Sequence, residues 1–131
     1  MLKYSFFVGL LLLFSAGENA EKATFVLYRG REFLGHAYEI KFNNHLVATI
    51  ETNSFIEVVI TPGKINIEAS AFRGTKKTLT VTAEAGQVYF VKAYEEIDFW
   101  DHYLVMHLMD AEKAKKEVKK CLEIKVAKQP D

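Results

Sequence analysis

One cysteine, two prolines and seven glycines in 131 residues set the first limits on this chain. A lone thiol, Cys121, closes no intramolecular disulfide, so the domain must hold through its core alone, even in an oxidising compartment. Proline and glycine sit at candidate turns rather than in low-complexity runs, which excludes a linker-like chain. Excess charge is missing too: seventeen basic residues balance seventeen acidic ones. Binding to nucleic acid needs many uncompensated Lys or Arg, so no nucleic-acid partner is expected. The sequence also lacks a Gly-x-Ser-x-Gly elbow, a metal-ligand spacing and a phosphate-cradling loop. No catalytic residue, no metal and no cofactor is therefore expected, and the chain reads as a non-enzyme.

Hydrophobic runs are short. The first, Phe6–Phe14, is nine residues, and a membrane-spanning helix needs about 20. It follows a start with one positive charge, Lys3, and precedes the small residues Ser15-Ala16-Gly17, the three-part plan of a secretory signal peptide. Cleavage is expected after Gly17, with Ala20 as second choice. Removing residues 1–17 takes away Lys3 alone, leaving sixteen basic and seventeen acidic groups, a net charge of −1. The expected address is periplasmic or extracellular, with no transmembrane span after cleavage. No cysteine follows the small residues, so no N-terminal lipid anchor is expected.

What remains is rich in strand formers: half of the residues are hydrophobic and 13% are aromatic. Ala23–Tyr28 is β-branched and aromatic. Tyr38, Ile40 and Phe42 alternate with Glu39 and Lys41, Asn43-Asn44 supplies a tight turn, and Leu46, Ala48 and Ile50 resume the alternation, so a hairpin is expected. Phe55–Ile60 ends at Thr61-Pro62-Gly63-Lys64. Ile65, Ile67, Ala69 and Ala71 form the next alternating set, followed by Leu79, Val81 and Ala83. Val88, Phe90 and Tyr94 share a face, and Tyr103–Met109 is the last strand. A helix is expected over residues 111–122, N-capped by Asp110, with Lys115, Lys116, Lys119 and Lys120 in its C-terminal half where the dipole favours them. Its lysines read as a solvated face and Cys121 as part of its apolar stripe; the tail beyond Lys128 reads as frayed. These elements predict one domain over residues 23–127, all-β, an antiparallel sandwich of about seven strands with one C-terminal α-helix.

Ala-Thr-Phe-Val-Leu-Tyr-Arg at 23–29, Asn43-Asn44-His45, Pro62-Gly63-Lys64 and Ala85-Gly86-Gln87-Val88-Tyr89-Phe90-Val91-Lys92 stand in this order. Together they resemble the bacterial domain of unknown function 2846, a family of small exported proteins often described as lipoproteins. The resemblance spans nearly the whole chain after the leader and implies a PEGA-like or transthyretin-like sandwich. It carries no catalytic residue. The chain departs from the family pattern at Gly30, where a proline often follows the Tyr-Arg pair, and in the missing lipid-accepting cysteine.

The densest polar and aromatic stretch is Glu95-Glu96-Ile97-Asp98-Phe99-Trp100-Asp101-His102. It reads either as a connection whose Phe99 and Trp100 plug one end of the sandwich, or as a contact loop in which Trp100 stacks on a partner beside Asp101. Carboxylates next to an imidazole also suit a metal, but His102 and His107, five apart on a strand, face opposite sides. Glu95 with Asp101 is the one carboxylate pair with a place in a glycan hydrolase, which needs two acids across a cleft. Arg29, after the aromatic strand, either clamps a partner's carboxylate, pairs with Glu32 or caps the sheet end. Phe99, Trp100, Asp101 and Arg29 are the candidate binding residues, and the expected partner is a protein or glycan of the cell envelope. Self-association remains open, as does a carbohydrate-binding or glycan-hydrolysing role.

Overall fold

The computed structural model describes residues 21–33, 35–72 and 74–131; the leader reading of residues 1–17 falls outside them. The described residues form nine strands: β1 (Ala23–Arg29), β2 (Tyr38–Phe42), β3 (His45–Ile50), β4 (Ser54–Ile60), β5 (Gly63–Ser70), β6 (Lys77–Ala83), β7 (Val88–Asp98), β8 (Asp101–Met109) and the two-residue β9 (Leu122–Glu123). They make two sheets, ordered β8-β7-β1-β4-β9 and β3-β2-β5-β6, with one helix among the described residues, α1 (Ala111–Val118), after β8. This is the all-β sandwich with a C-terminal helix. Among the described residues no helix is long and apolar enough to cross a membrane.

Alternation builds the core. Phe25 and Leu27 of β1, Ile40 and Phe42 of β2, Ile56 and Val58 of β4, Ile65 and Ile67 of β5, and Val91 of β7 all point between the sheets and are buried. Phe25 meets Phe42 edge-on at 5.4 Å and stacks on Tyr89 at 5.1 Å. β1 is buried at every position because its other face is covered as well: Val26 and Tyr28, with Phe90, pack under Ala114 of α1. A strand covered on both faces shows no alternation of apolar and polar residues, hence the mostly apolar Ala-Thr-Phe-Val-Leu-Tyr run. β1 and β7 pair in parallel, unlike the other long strands. The chain between them makes the entire second sheet and β4, so no helix is required between them.

Three local expectations are corrected. In β3 the buried residues are Val47 and Ile50, while Leu46 is half exposed, because the β2–β3 register shifts between Ile40 and Lys41 and leaves Val47 as the extra residue of a bulge. The turn before it is as expected, with Asn43 and Asn44 both at positive φ. The helix, capped by Asp110 through the backbone N–H of Lys113, ends at Val118 rather than 122. Cys121 lies past its end, half-buried, its thiol donating to the Arg29 carbonyl. The tail is not frayed: the Leu122 and Ile124 N–H groups bond to Asn53 and Phe55 carbonyls, and the Gln129 side chain accepts from Val59 N–H and donates to the Glu57 carbonyl. An amide side chain thus imitates a further strand residue and closes the β4 edge, which would otherwise be open to pairing with another chain.

Candidate functional site

β7 and β8 continue past the sheet. β1 accompanies β7 only as far as Ala93, opposite Arg29; from Tyr94 to Asp98, β7 pairs with β8. Five residues at about 3.3 Å each make a two-stranded arm of about 16 Å. The expected connection over Glu95–Asp101 is therefore strand, and only Phe99 and Trp100 turn, between the paired Asp98 and Asp101. The ribbon escaped the alternation reading because a two-stranded arm has little core to face and shows no apolar period.

The tip does not plug the sandwich. Phe99 and Trp100 are 90% and 94% exposed, which overturns the inward reading of these rings. Phe99 sits at φ +56°, a left-handed conformation that a bulky side chain rarely adopts outside a constrained turn. Two further exposed aromatics issue from neighbouring connections. Phe33 lies three residues before His36, which is stacked on His102; Phe72 lies three before Thr75, whose N–H bonds to the His102 carbonyl. Three extended residues reach about 10 Å, so all four rings belong to one end of the molecule. Around them stand the exposed carboxylates Glu96, Asp98 and Asp101.

Beneath the tip, the inward columns of four strands finish in polar groups. Phe25 and Leu27 are followed by Arg29, Val91 and Ala93 by Glu95, and Met106 and Leu104 by His102; the β2 column starts with Tyr38. Arg29 is fully buried, its guanidinium bonded to Glu32 and to the carbonyls of His36 (2.7 Å) and Ile50 (3.3 Å), and lying 5.5 Å from the Tyr38 ring centre. Of the alternatives for Arg29, the Glu32 pair and the sheet-end cap both hold, and it is not brought to the Phe99–Trp100 surface. The loop can close over it because residue 35 is glycine: a Cβ there would run into Thr52 and lie 2.8 Å from an Arg29 nitrogen.

Glu95 is the centre of a second cluster. Its side chain is 3% exposed, and one oxygen, Oε2, accepts from the Tyr38 hydroxyl (2.7 Å) and lies 2.5 Å from His36 Nδ1 and 3.3 Å from His102 Nδ1. The other oxygen accepts the His36 backbone N–H, and the Glu95 N–H donates to Glu32. The two imidazoles stack at 4.1 Å, inclined by 14°. Burial alone would raise the Glu95 carboxyl; hydrogen bonds from Tyr38 and from the ring and backbone of His36 outweigh it and hold the group below the ordinary carboxylate range. Burial and the Glu95 carboxylate together push the Tyr38 hydroxyl upward. His36, on an irregular loop, carries no sequence signal beyond its residue type; its place opposite Glu95, 59 residues away, is a product of the fold.

The other candidate residues resolve by register. His107 bonds to Tyr94 on the outer face, away from His102, as the strand spacing implies. Cross-strand partners share a face, and Glu95 and Asp98 are three apart, so Asp101, paired with Asp98, lies on the face opposite Glu95. These two acids do not flank a common cleft. A separate recess of about 380 Å³ beside α1 is lined by Tyr28, Arg31, Lys92, Glu117, Lys120 and Cys121. Within it Tyr28 and Lys92 both bond to Glu117, and burial raises the Cys121 thiol away from the reactive thiolate. Against this geometry, no protein-family model, no curated protein and no solved structure matches the chain.

Proposed function

We propose that this chain is an exported, non-enzymatic binding module that engages a partner of the cell envelope through the β7–β8 tip. The observation that carries the reading is the tip itself: Phe99 and Trp100 stand almost wholly exposed, with Phe33 and Phe72 exposed at the same end. Aromatic side chains concentrate binding energy in interfaces, while monomeric proteins seldom display clustered rings that serve nothing. A left-handed Phe99 adds weight, since strain of this kind gathers at functional sites. The carboxylates Glu96, Asp98 and Asp101 suit a protein surface with basic residues around an apolar patch, and they disfavour anionic lipid. The export address rests on the leader-like residues 1–17 and on the resemblance to the exported domain of unknown function 2846 proteins.

A glycan partner is the second reading, favoured by one feature: Trp100 stands between Asp98 and Asp101, a ring to stack on a sugar with carboxylates to take its hydroxyls. The test uses the secreted domain and its Trp100→Ala variant on envelope extract and on a glycan array. A protein or sugar held by the parent and released by the variant, with melting unchanged, supports the module and identifies the partner class. Equal retention by both removes the tip from the function.

A further inference from the structure

Glu95 is a point of convergence for donor atoms. It is a carboxylate that ends a core column, and its ion-pair partners among the described residues are two imidazoles, groups that are charged only when protonated. The nearby guanidinium of Arg29 is bonded to a different acid, Glu32. Glu95 therefore brings a carboxylate oxygen against two ring nitrogens, while the neighbouring guanidinium is turned to another acid.

From this we infer that His36, Glu95 and His102 form a binding site for a divalent transition-metal ion of the zinc class. Two imidazole nitrogens and one carboxylate oxygen are the donor types zinc takes with three protein ligands, the fourth position being left for water or an outside donor. The three donor atoms all lie within 4.8 Å of one another and come from three segments: the loop before β2, β7 and β8. Ligands about 2.0–2.1 Å from a tetrahedral ion sit about 3.3 Å apart. The Glu95 Oε2 to His102 Nδ1 distance is 3.3 Å. At 2.5 Å, His36 Nδ1 is too close and must withdraw by about 0.8 Å for that geometry.

The stacked rings decide which group moves. An ion bound in the plane of each imidazole cannot lie between two near-parallel planes 4.1 Å apart, so one ring must turn. His36, 55% exposed and on a loop, is free to do so; Glu95 and His102 are held by the ribbon and by Tyr38. The exposed His36 also marks the route by which the ion enters. Tyr38, donating to the ligand oxygen, is the outer partner that orients the carboxylate. Binding therefore exchanges the His36–Glu95 hydrogen bond for coordination and ties the loop that carries Phe33 to the ribbon that carries Trp100. This site stands whether or not the tip binds a partner.

The experiment is calorimetric titration of the chelator-treated secreted domain with Zn2+, with Co2+ absorption as a report of coordination. Parent protein should take up one ion per chain at micromolar or tighter affinity, with the intense visible absorption of four-coordinate Co2+ and a raised melting temperature. His36→Ala should lose the Co2+ spectrum, and the raised melting temperature on Zn2+ addition, while far-ultraviolet dichroism shows the fold retained. Tyr38→Phe should weaken affinity by about 10-fold while keeping the Co2+ spectrum. His45→Ala and His107→Ala should bind as the parent does. Absence of saturable uptake, or uptake unchanged in His36→Ala, overturns the inference.

Discussion

The same two strands behave differently at their two ends. Where β7 runs beside β1, its inward residues Val91 and Ala93 are apolar and its outward Phe90 is covered by α1, so both faces are closed. Two residues further on, the inward position is Glu95, the outer face is bare, and the tip ends in exposed Phe99 and Trp100. Backbone pairing is continuous across this boundary. Only side-chain composition changes, and with it the element passes from closing a core to presenting groups. Rigid strands thus carry the candidate site, which holds His102 and Glu95 in fixed register.

That contrast breaks most easily at its apolar end. Phe25, fully buried between Phe42 and Tyr89, should cost about 3–5 kcal/mol when replaced by Ala, read from denaturant unfolding. Phe90→Ala, under the helix, should fall in the same range, because burial on the outer face of β1–β7 is nearly as complete as in the main core. A loss below about 1 kcal/mol at Phe90 would mean that α1 is a loose appendage. At the other end, Phe99→Gly should stabilise the domain by about 1 kcal/mol, since glycine accepts the positive φ that phenylalanine resists. A variant that melts higher and binds its partner less well would show strain retained for contact. Trp100→Ala, being almost fully exposed, should shift stability by less than about 0.5 kcal/mol.

Much of the closed end was legible in the sequence. Period-2 alternation marks Tyr38–Phe42, Ile65–Ala69 and Leu79–Ala83, and Asn43-Asn44 fixes the turn between β2 and β3, because one-sided burial leaves a pattern in the residues themselves. The bulge at Val47 was not legible, since Leu46, Val47 and Ala48 are all apolar and either parity fits. At the open end, pattern fails for a physical reason: residues 94–98 pair with β8 alone and their inward position is filled by polar groups, so no apolar alternation marks them. Glu95, Trp100 and His102 stood out by density of chemistry, but their separation into a buried cluster and a bare tip needed the hairpin register. His36 was invisible because its partner is 59 residues away. Likewise Gln129 gave no sign that it would complete an edge.

That edge supplies the smallest effect. Glu57 lies on β4, its backbone carbonyl held by Gln129 and its carboxyl raised above the ordinary range, first by burial and then by the charge of Glu123, with Lys125 only partly opposing. An acid whose pKa is raised by folding binds its proton more tightly in the native state, so this group stabilises when protonated and destabilises when charged. Its contribution is lost as pH rises from the unfolded value near 4 through the folded one, and at pH 7 the charge is a standing cost. Glu57→Gln keeps the shape and removes the charge. The variant should therefore melt higher than the parent at pH 7, and the difference should vanish below about pH 4, where the parent's Glu57 is protonated in both states. Salt should leave most of the gain intact, because burial is the larger cause and is not screened. A gain that disappears in high salt would instead make Glu123 the main cause. No gain at any pH would mean that the tail packs more loosely along β4 than its hydrogen bonds to Val59 and Glu57 imply.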